Sequence, residues 1–92
     1  MKEFLKSRQQ IIAANIKQAR TDKNLTSAFV ALGIKMSLEN YHKLELGQTE
    51  LTLNCLFKIA AVLDVNILEL IENDPLLIQL SNHDHQQDRN IA

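Results

Sequence analysis

The feature that most constrains the fold is the segment of residues 25–47, LTSAFVALGIKMSLENYHKLELG, which carries two helix starts and one helix stop. Thr26 or Ser27 is positioned to cap one helix, and Ser37 to cap the next, because their side chains accept hydrogen bonds from helix N–H groups. Gly47 then favours a left-handed helix end. The segment therefore predicts two short helices joined by a tight turn.

The rest of the chain also favours helices. Apolar residues make up 46% of the 92 residues and aromatic residues only 4%, so the core must be built from aliphatic side chains. Helical spacing predicts a first helix over about residues 3–22, a fourth over about 52–63 and a fifth around 67–71. For the fourth helix we predict a buried stripe of Leu53, Leu56, Phe57, Ala60 and Leu63. Together these elements predict a compact all-α fold of five helices.

One domain accounts for the length of the chain. We assign residues 1–80 to it, with the paired helices at 26–46, and residues 81–92 to a disordered polar tail. The apolar residues 76–80 are expected either to cover the core or to form a partner surface. There is no apolar run of membrane-spanning length and no signal-peptide pattern, and the single Cys55 is expected to serve packing, so we predict a cytoplasmic protein.

Several segments in register resemble one known family. They are IKQAR at 16–20, LTS at 25–27, YHKLELG at 41–47 and the fourth-helix segment that ends in LDV at 63–65. On these residues the chain resembles the Cro/repressor-type helix-turn-helix family, also called the lambda-repressor-like or XRE family. The resemblance implies a domain with a long N-terminal helix and a short C-terminal extension, a structural ion pair between Arg20 and Glu45, and a sequence-specific regulator that binds double-stranded DNA as a homodimer.

The resemblance also assigns candidate DNA-binding residues. The second helix of the pair would enter the major groove, where Asn40 suits adenine, His42 and Lys43 suit guanine or phosphate, Glu39 suits cytosine and Leu38 suits a thymine methyl group. Phosphate contacts would come from Lys43 and from residues around the helix pair. The complete predicted set is Ser27, Lys35, Ser37, Leu38, Glu39, Asn40, His42, Lys43 and Gln48.

Two positions depart from the family pattern. Ser27 stands where the family usually has a phosphate-binding glutamine. Lys35 stands at the position of the turn glycine, whereas Gly33 lies two residues earlier. A non-glycine residue in the left-handed conformation costs roughly 1 kcal/mol. The turn is therefore either strained at Lys35 or rebuilt around Gly33.

The distribution of charge leaves a second function open. Residues 1–43 carry a net charge of +5 and residues 44–92 carry −6, which predicts one basic and one acidic face. The acidic half and residues 76–80 favour an alternative, a protein-interaction module of the antitoxin or anti-repressor kind. No catalytic pattern, cofactor or metal site is predicted, and His83, Asp84 and His85 are interpreted as polar filler in the tail.

Overall fold

A computed structural model describes residues 2–72, with side chains described from residue 8 onward. Every regular element in this part of the chain is a helix, which confirms the predicted all-α fold. The helices are α1 (Lys2–Asp22), α2 (Ser27–Gly33), α3 (Leu38–Glu45), α4 (Leu53–Leu63) and α5 (Ile67–Glu72). The predictions for residues 76–80 and 81–92 lie outside the described residues.

None of the described helices combines the length and the apolar character that a membrane crossing requires.

The core is aliphatic, with one tyrosine in its centre. All five helices contribute to it, and α3 contributes Tyr41 and Leu44, which are fully buried. The other large side chains that are almost completely buried are Ile16, Val30, Ile59, Leu63 and Leu70. Because the inner face of α3 packs in the core, the contacts that stabilise the domain also fix the orientation of this helix.

The predicted stripe of α4 is partly wrong. Leu56, Ala60 and Leu63 are buried as predicted, but Leu53 is 61% exposed and Phe57 is 53% exposed. Ile59, which was not assigned to the stripe, is completely buried. Successive helical residues are about 100° apart around the axis. With the buried face centred near Ile59 and Leu63, Phe57 is turned onto its flank.

Four helices end with the same hydrogen-bond motif. At the end of α2, Met36 N–H donates to the Ala31 carbonyl at 2.9 Å and Lys35 N–H donates to the Leu32 carbonyl at 3.1 Å, which is a Schellman motif. The equivalent bonds follow α1, α3 and α4. The residues in the left-handed position are Asn24, Lys35, Gly47 and Asp64.

This motif decides between the two alternatives for the turn before α3. Lys35 has a φ of 59°, whereas Gly33 is the last residue of α2. Gly33 is instead needed for side-chain contact between helices, because a Cβ there would lie 2.8 Å from Cγ2 of Val62 on α4. Of the two alternatives that the sequence left open, the turn is made at Lys35, and the glycine lets α2 approach α4.

Candidate nucleic-acid interface

The start of α3 is fixed by the predicted cap. Ser37 Oγ accepts a hydrogen bond from the Asn40 N–H at 3.1 Å, and its backbone is extended, as an N-cap requires. The hydroxyl remains able to donate its own hydrogen. Thr26 caps α2 in the same way by accepting from the Phe29 N–H at 3.0 Å, which identifies Thr26 rather than Ser27 as that cap.

The end of α3 is tied to α1 by an ion pair. Arg20 donates from Nε to Glu45 at 2.7 Å and from a terminal nitrogen to the second carboxylate oxygen at 3.1 Å. Its other terminal nitrogen donates to the Leu25 carbonyl at 2.8 Å. The hydrogen bond to Glu45 raises the pKa of Arg20, against the opposing effect of burial. One guanidinium therefore joins α1, the α1–α2 loop and the last turn of α3.

Tyr41 lies beside this ion pair. Its hydroxyl is buried and has no hydrogen-bond partner within the described residues. Burial raises the pKa of Tyr41, and the neighbouring Glu45 carboxylate raises it further while Arg20 lowers it. The phenol is therefore neutral at ordinary pH, and its role is to fill the space between α3 and the core.

The opposite face of α3 is open to solvent. Leu38, Glu39, Asn40, His42 and Lys43 are all exposed. The described contact between two of these side chains is weak, with Lys43 Nζ 3.9 Å from Glu39 Oε1. That distance exceeds the range of a hydrogen bond. The structure thus brings five of the predicted site residues together as one accessible surface, which we call the α3 outer face.

The remaining predicted site residues lie at the ends of short helices. Ser27 is half-buried at the first position of α2, and Lys35 is exposed in the turn before α3. Gln48 is exposed after α3, where its N–H donates to the Lys43 carbonyl at 2.9 Å. Each of these residues adjoins an end of α2 or α3, so their backbone positions are set by the helix pair.

Two residues of α1 hold the loop after α3 and were not predicted from the sequence. Gln9 donates from its side chain to the Thr49 carbonyl. Gln10 lies so close to Gly47 that a Cβ on the glycine would be 2.9 Å from its Cγ. Nothing in the sequence around a lone glutamine on a polar helix face indicates such a contact. The role of Gly47 as the helix end, by contrast, was predictable from its position.

Large apolar side chains are exposed outside the predicted site. Leu46 follows α3, Phe29 and Leu32 lie on α2, and Leu32 is 79% exposed. The exposure of Phe29 and Leu32 could have been predicted from the sequence. Residues 28–32 (AFVAL) are apolar without interruption, and a short helix cannot bury every side.

No cluster of three His, Cys, Asp or Glu side chains is placed for metal binding in residues 8–72, and the tail histidines lie outside that range. Cys55 is half-buried against the core, and burial raises the pKa of its thiol, which disfavours the reactive thiolate.

Comparison with known proteins identifies the architecture. A family model described as Helix-turn-helix matches residues 16–70, which includes α2, α3 and α4 and most of α5. A search of curated proteins finds no significant match. The matched range contains the turn at Lys35, the Arg20–Glu45 ion pair and the α3 outer face. The chain therefore belongs to the XRE or lambda-repressor-like helix-turn-helix family of DNA-binding regulatory domains.

Proposed function

We propose that this chain is a sequence-specific DNA-binding transcriptional regulator whose α3 outer face enters the major groove. The observation that carries the proposal is the division of α3 into a buried face and an exposed polar face. The side chains of Asn40, His42 and Lys43 carry hydrogen-bond donors, and that of Asn40 also carries an acceptor, which match the acceptors and donors on base edges in the major groove. Glu45 and Leu44, on the other side, hold the helix to the domain.

The phosphate contacts in this proposal come from residues at the edges of the helix pair. Lys35 precedes α3, Gln48 follows it, and Ser27 begins α2. Lysine and small polar side chains at such positions bind phosphate oxygens and fix the orientation of a protein on the duplex without reading its sequence. The charge of the whole chain, −1, does not oppose this, since phosphate responds to the local surface.

We further propose that the regulator acts as a homodimer. A dimer would set two α3 helices into successive major grooves about 34 Å apart, and its binding site would then be a palindrome with half-sites one helical turn apart. Binding itself, by blocking or recruiting polymerase, would be the regulatory event.

Selection of bound sites from random duplex DNA tests the proposal. We expect a consensus with two inverted half-sites, and we expect affinity to fall with salt by about 0.9 log units per log unit of salt for each phosphate neutralised. Recovery of unrelated sequences with the frequencies of the starting pool would contradict sequence-specific binding. A consensus with a single half-site would contradict the homodimer only.

A second candidate is a module that binds another protein. The exposed apolar side chains of α2 and α4 favour it, since Phe29, Leu32 and Phe57 are each more than half exposed. An apolar protein interface responds weakly to salt, whereas DNA binding through phosphates weakens steeply. The salt dependence of whichever complex forms therefore distinguishes the two candidates.

A further inference from the structure

Glu39 is an unusual residue on a surface that meets DNA. Its side chain is 83% exposed in the first turn of α3, next to Asn40 in the sequence. The positive N-terminal end of a helix favours a carboxylate by about 0.3–1 kcal/mol, and Glu69 in the first turn of α5 has the same advantage. Phosphates repel a carboxylate, however, so Glu39 can face DNA favourably only where it meets a hydrogen-bond donor.

Lys43 lies one helical turn further along the same surface. Its ammonium is 3.9 Å from the Glu39 carboxylate, and its side chain is 53% exposed. An exposed pair of this kind contributes only about 0–1 kcal/mol, so either group is free to change partners when DNA arrives. The α3 outer face therefore presents one strong acceptor and one strong donor side by side.

The major-groove edges of the four bases differ in what they offer such a pair. Cytosine presents a donor, its N4 amino group, and guanine presents the acceptors O6 and N7. Adenine places the N7 acceptor next to its N6 donor, and thymine presents the O4 acceptor and a methyl group. A carboxylate is repelled by each acceptor. Adenine N6 lies between two acceptors, its own N7 and thymine O4, whereas cytosine N4 has an acceptor, guanine O6, on one side only. With Lys43 bound to guanine, the carboxylate of Glu39 is therefore repelled least at a C·G pair.

We propose that Glu39 and Lys43 together read one C·G base pair, with Glu39 accepting from the cytosine amino group and Lys43 donating to guanine O6 or N7. This inference rests on the proposed DNA-binding function. Beyond the match of Glu39 to cytosine that the sequence suggested, it assigns Glu39 and Lys43 to the same base pair. The same carboxylate weakens binding to other sequences, because it meets acceptors or phosphates there. Glu39 thus lowers overall affinity and raises selectivity.

The test uses the duplex that the full chain selects from a random pool, with each base pair of the half-site replaced in turn by the other three. Glu39→Gln should move the preference at one position from cytosine to adenine, because a carboxamide bonds adenine N6 and N7 together. We expect about a tenfold change in the ratio of the two affinities, equivalent to about 1.4 kcal/mol. Glu39→Ala should remove that preference and strengthen binding to an unrelated duplex.

Glu69→Gln on α5 is the matched control, because it removes the same charge from the exposed first turn of another helix. It should leave the base preferences unchanged. Selected sites without a C·G preference that depends on Glu39 would overturn this inference while leaving DNA binding intact. If the wild-type chain selects no sequence at all, the proposed function and this inference both fail.

Discussion

Helix α3 carries two ion pairs whose settings differ. Arg20 and Glu45 meet at 2.7 Å with side chains only 12% and 7% exposed, and they join two helices. Lys43 and Glu39 lie 3.9 Å apart within one helix and are largely exposed. Burial and geometry, rather than the types of residue, therefore decide which pair belongs to the fold and which is available to a ligand.

Under the proposed function, stability and DNA reading lie on opposite sides of one short helix. Loss of a partner in a buried pair leaves the other charge poorly solvated, which is costly. An exposed pair exchanges its partner for water at little cost. Substitutions on the inner side should therefore change the free energy of unfolding, and substitutions on the outer face should change binding.

The largest effect on stability is expected when the carboxylate of the buried pair is neutralised. Glu45→Gln should lower the free energy of unfolding by about 2 kcal/mol, because Arg20 loses its charged acceptor. Glu39→Gln on the same helix is the matched control and should lower it by no more than about 1 kcal/mol, because that exposed carboxylate has only the helix N-terminus and a weak pair with Lys43. Urea unfolding followed by circular dichroism measures the free energy of unfolding of both variants. Equal losses in the two variants would contradict the claim that burial distinguishes the two ion pairs.

A smaller effect is expected at the turn before α3. Lys35→Gly should raise the free energy of unfolding by about 1 kcal/mol, because glycine adopts the positive φ without strain. The same substitution should weaken DNA binding and reduce the salt slope by about one if Lys35 contacts a phosphate. A Lys35→Gly variant that is more stable but binds DNA more weakly would show that Lys35 serves binding at a cost to stability.

Lys58→Gly is the control for that substitution. Lys58 is exposed but lies inside α4, where glycine should cost about 1 kcal/mol relative to a good helix former. Glycine should therefore have opposite effects at the two lysines. A destabilised Lys35→Gly variant would contradict the interpretation that the turn is strained.

Much of the fold was predictable because caps and apolar spacing act locally. Ser37 was identified as an N-cap, and Thr26 as one of two candidates for another, from their residue type and position, and both accept the expected N–H hydrogen bond. Gly47 was likewise identified as a left-handed helix end. In each case the hydrogen-bonding group and the turn are only a few residues apart.

The errors arose where contacts between helices decide the outcome. Spacing within α4 placed Phe57 in the core, but the approach of the neighbouring helices centres burial nearer Ile59. Gly33 was one of two candidates for the turn, and the choice depended on a contact between helices, because a Cβ there would lie 2.8 Å from Cγ2 of Val62 on α4. The candidate site residues were recognised from the family resemblance, whereas the contacts of Gln9 and Gln10 with the loop after α3 required coordinates.

The most direct test of the central claim is the affinity of a variant that lacks two polar side chains of the α3 outer face. Asn40→Ala combined with Lys43→Ala should weaken binding to the selected duplex by about 100-fold, since each base contact contributes about 1–3 kcal/mol. Its helix content should be unchanged because both residues are exposed. Asn54→Ala combined with Lys58→Ala removes the same residue types from the exposed side of α4 and should leave affinity nearly unchanged.

Titration of the labelled duplex with wild-type protein and the two double variants gives the answer. A large loss of affinity confined to the α3 variant is the result that the account predicts. Equal affinities for the two variants, with both of them folded, would show that the α3 outer face does not read DNA.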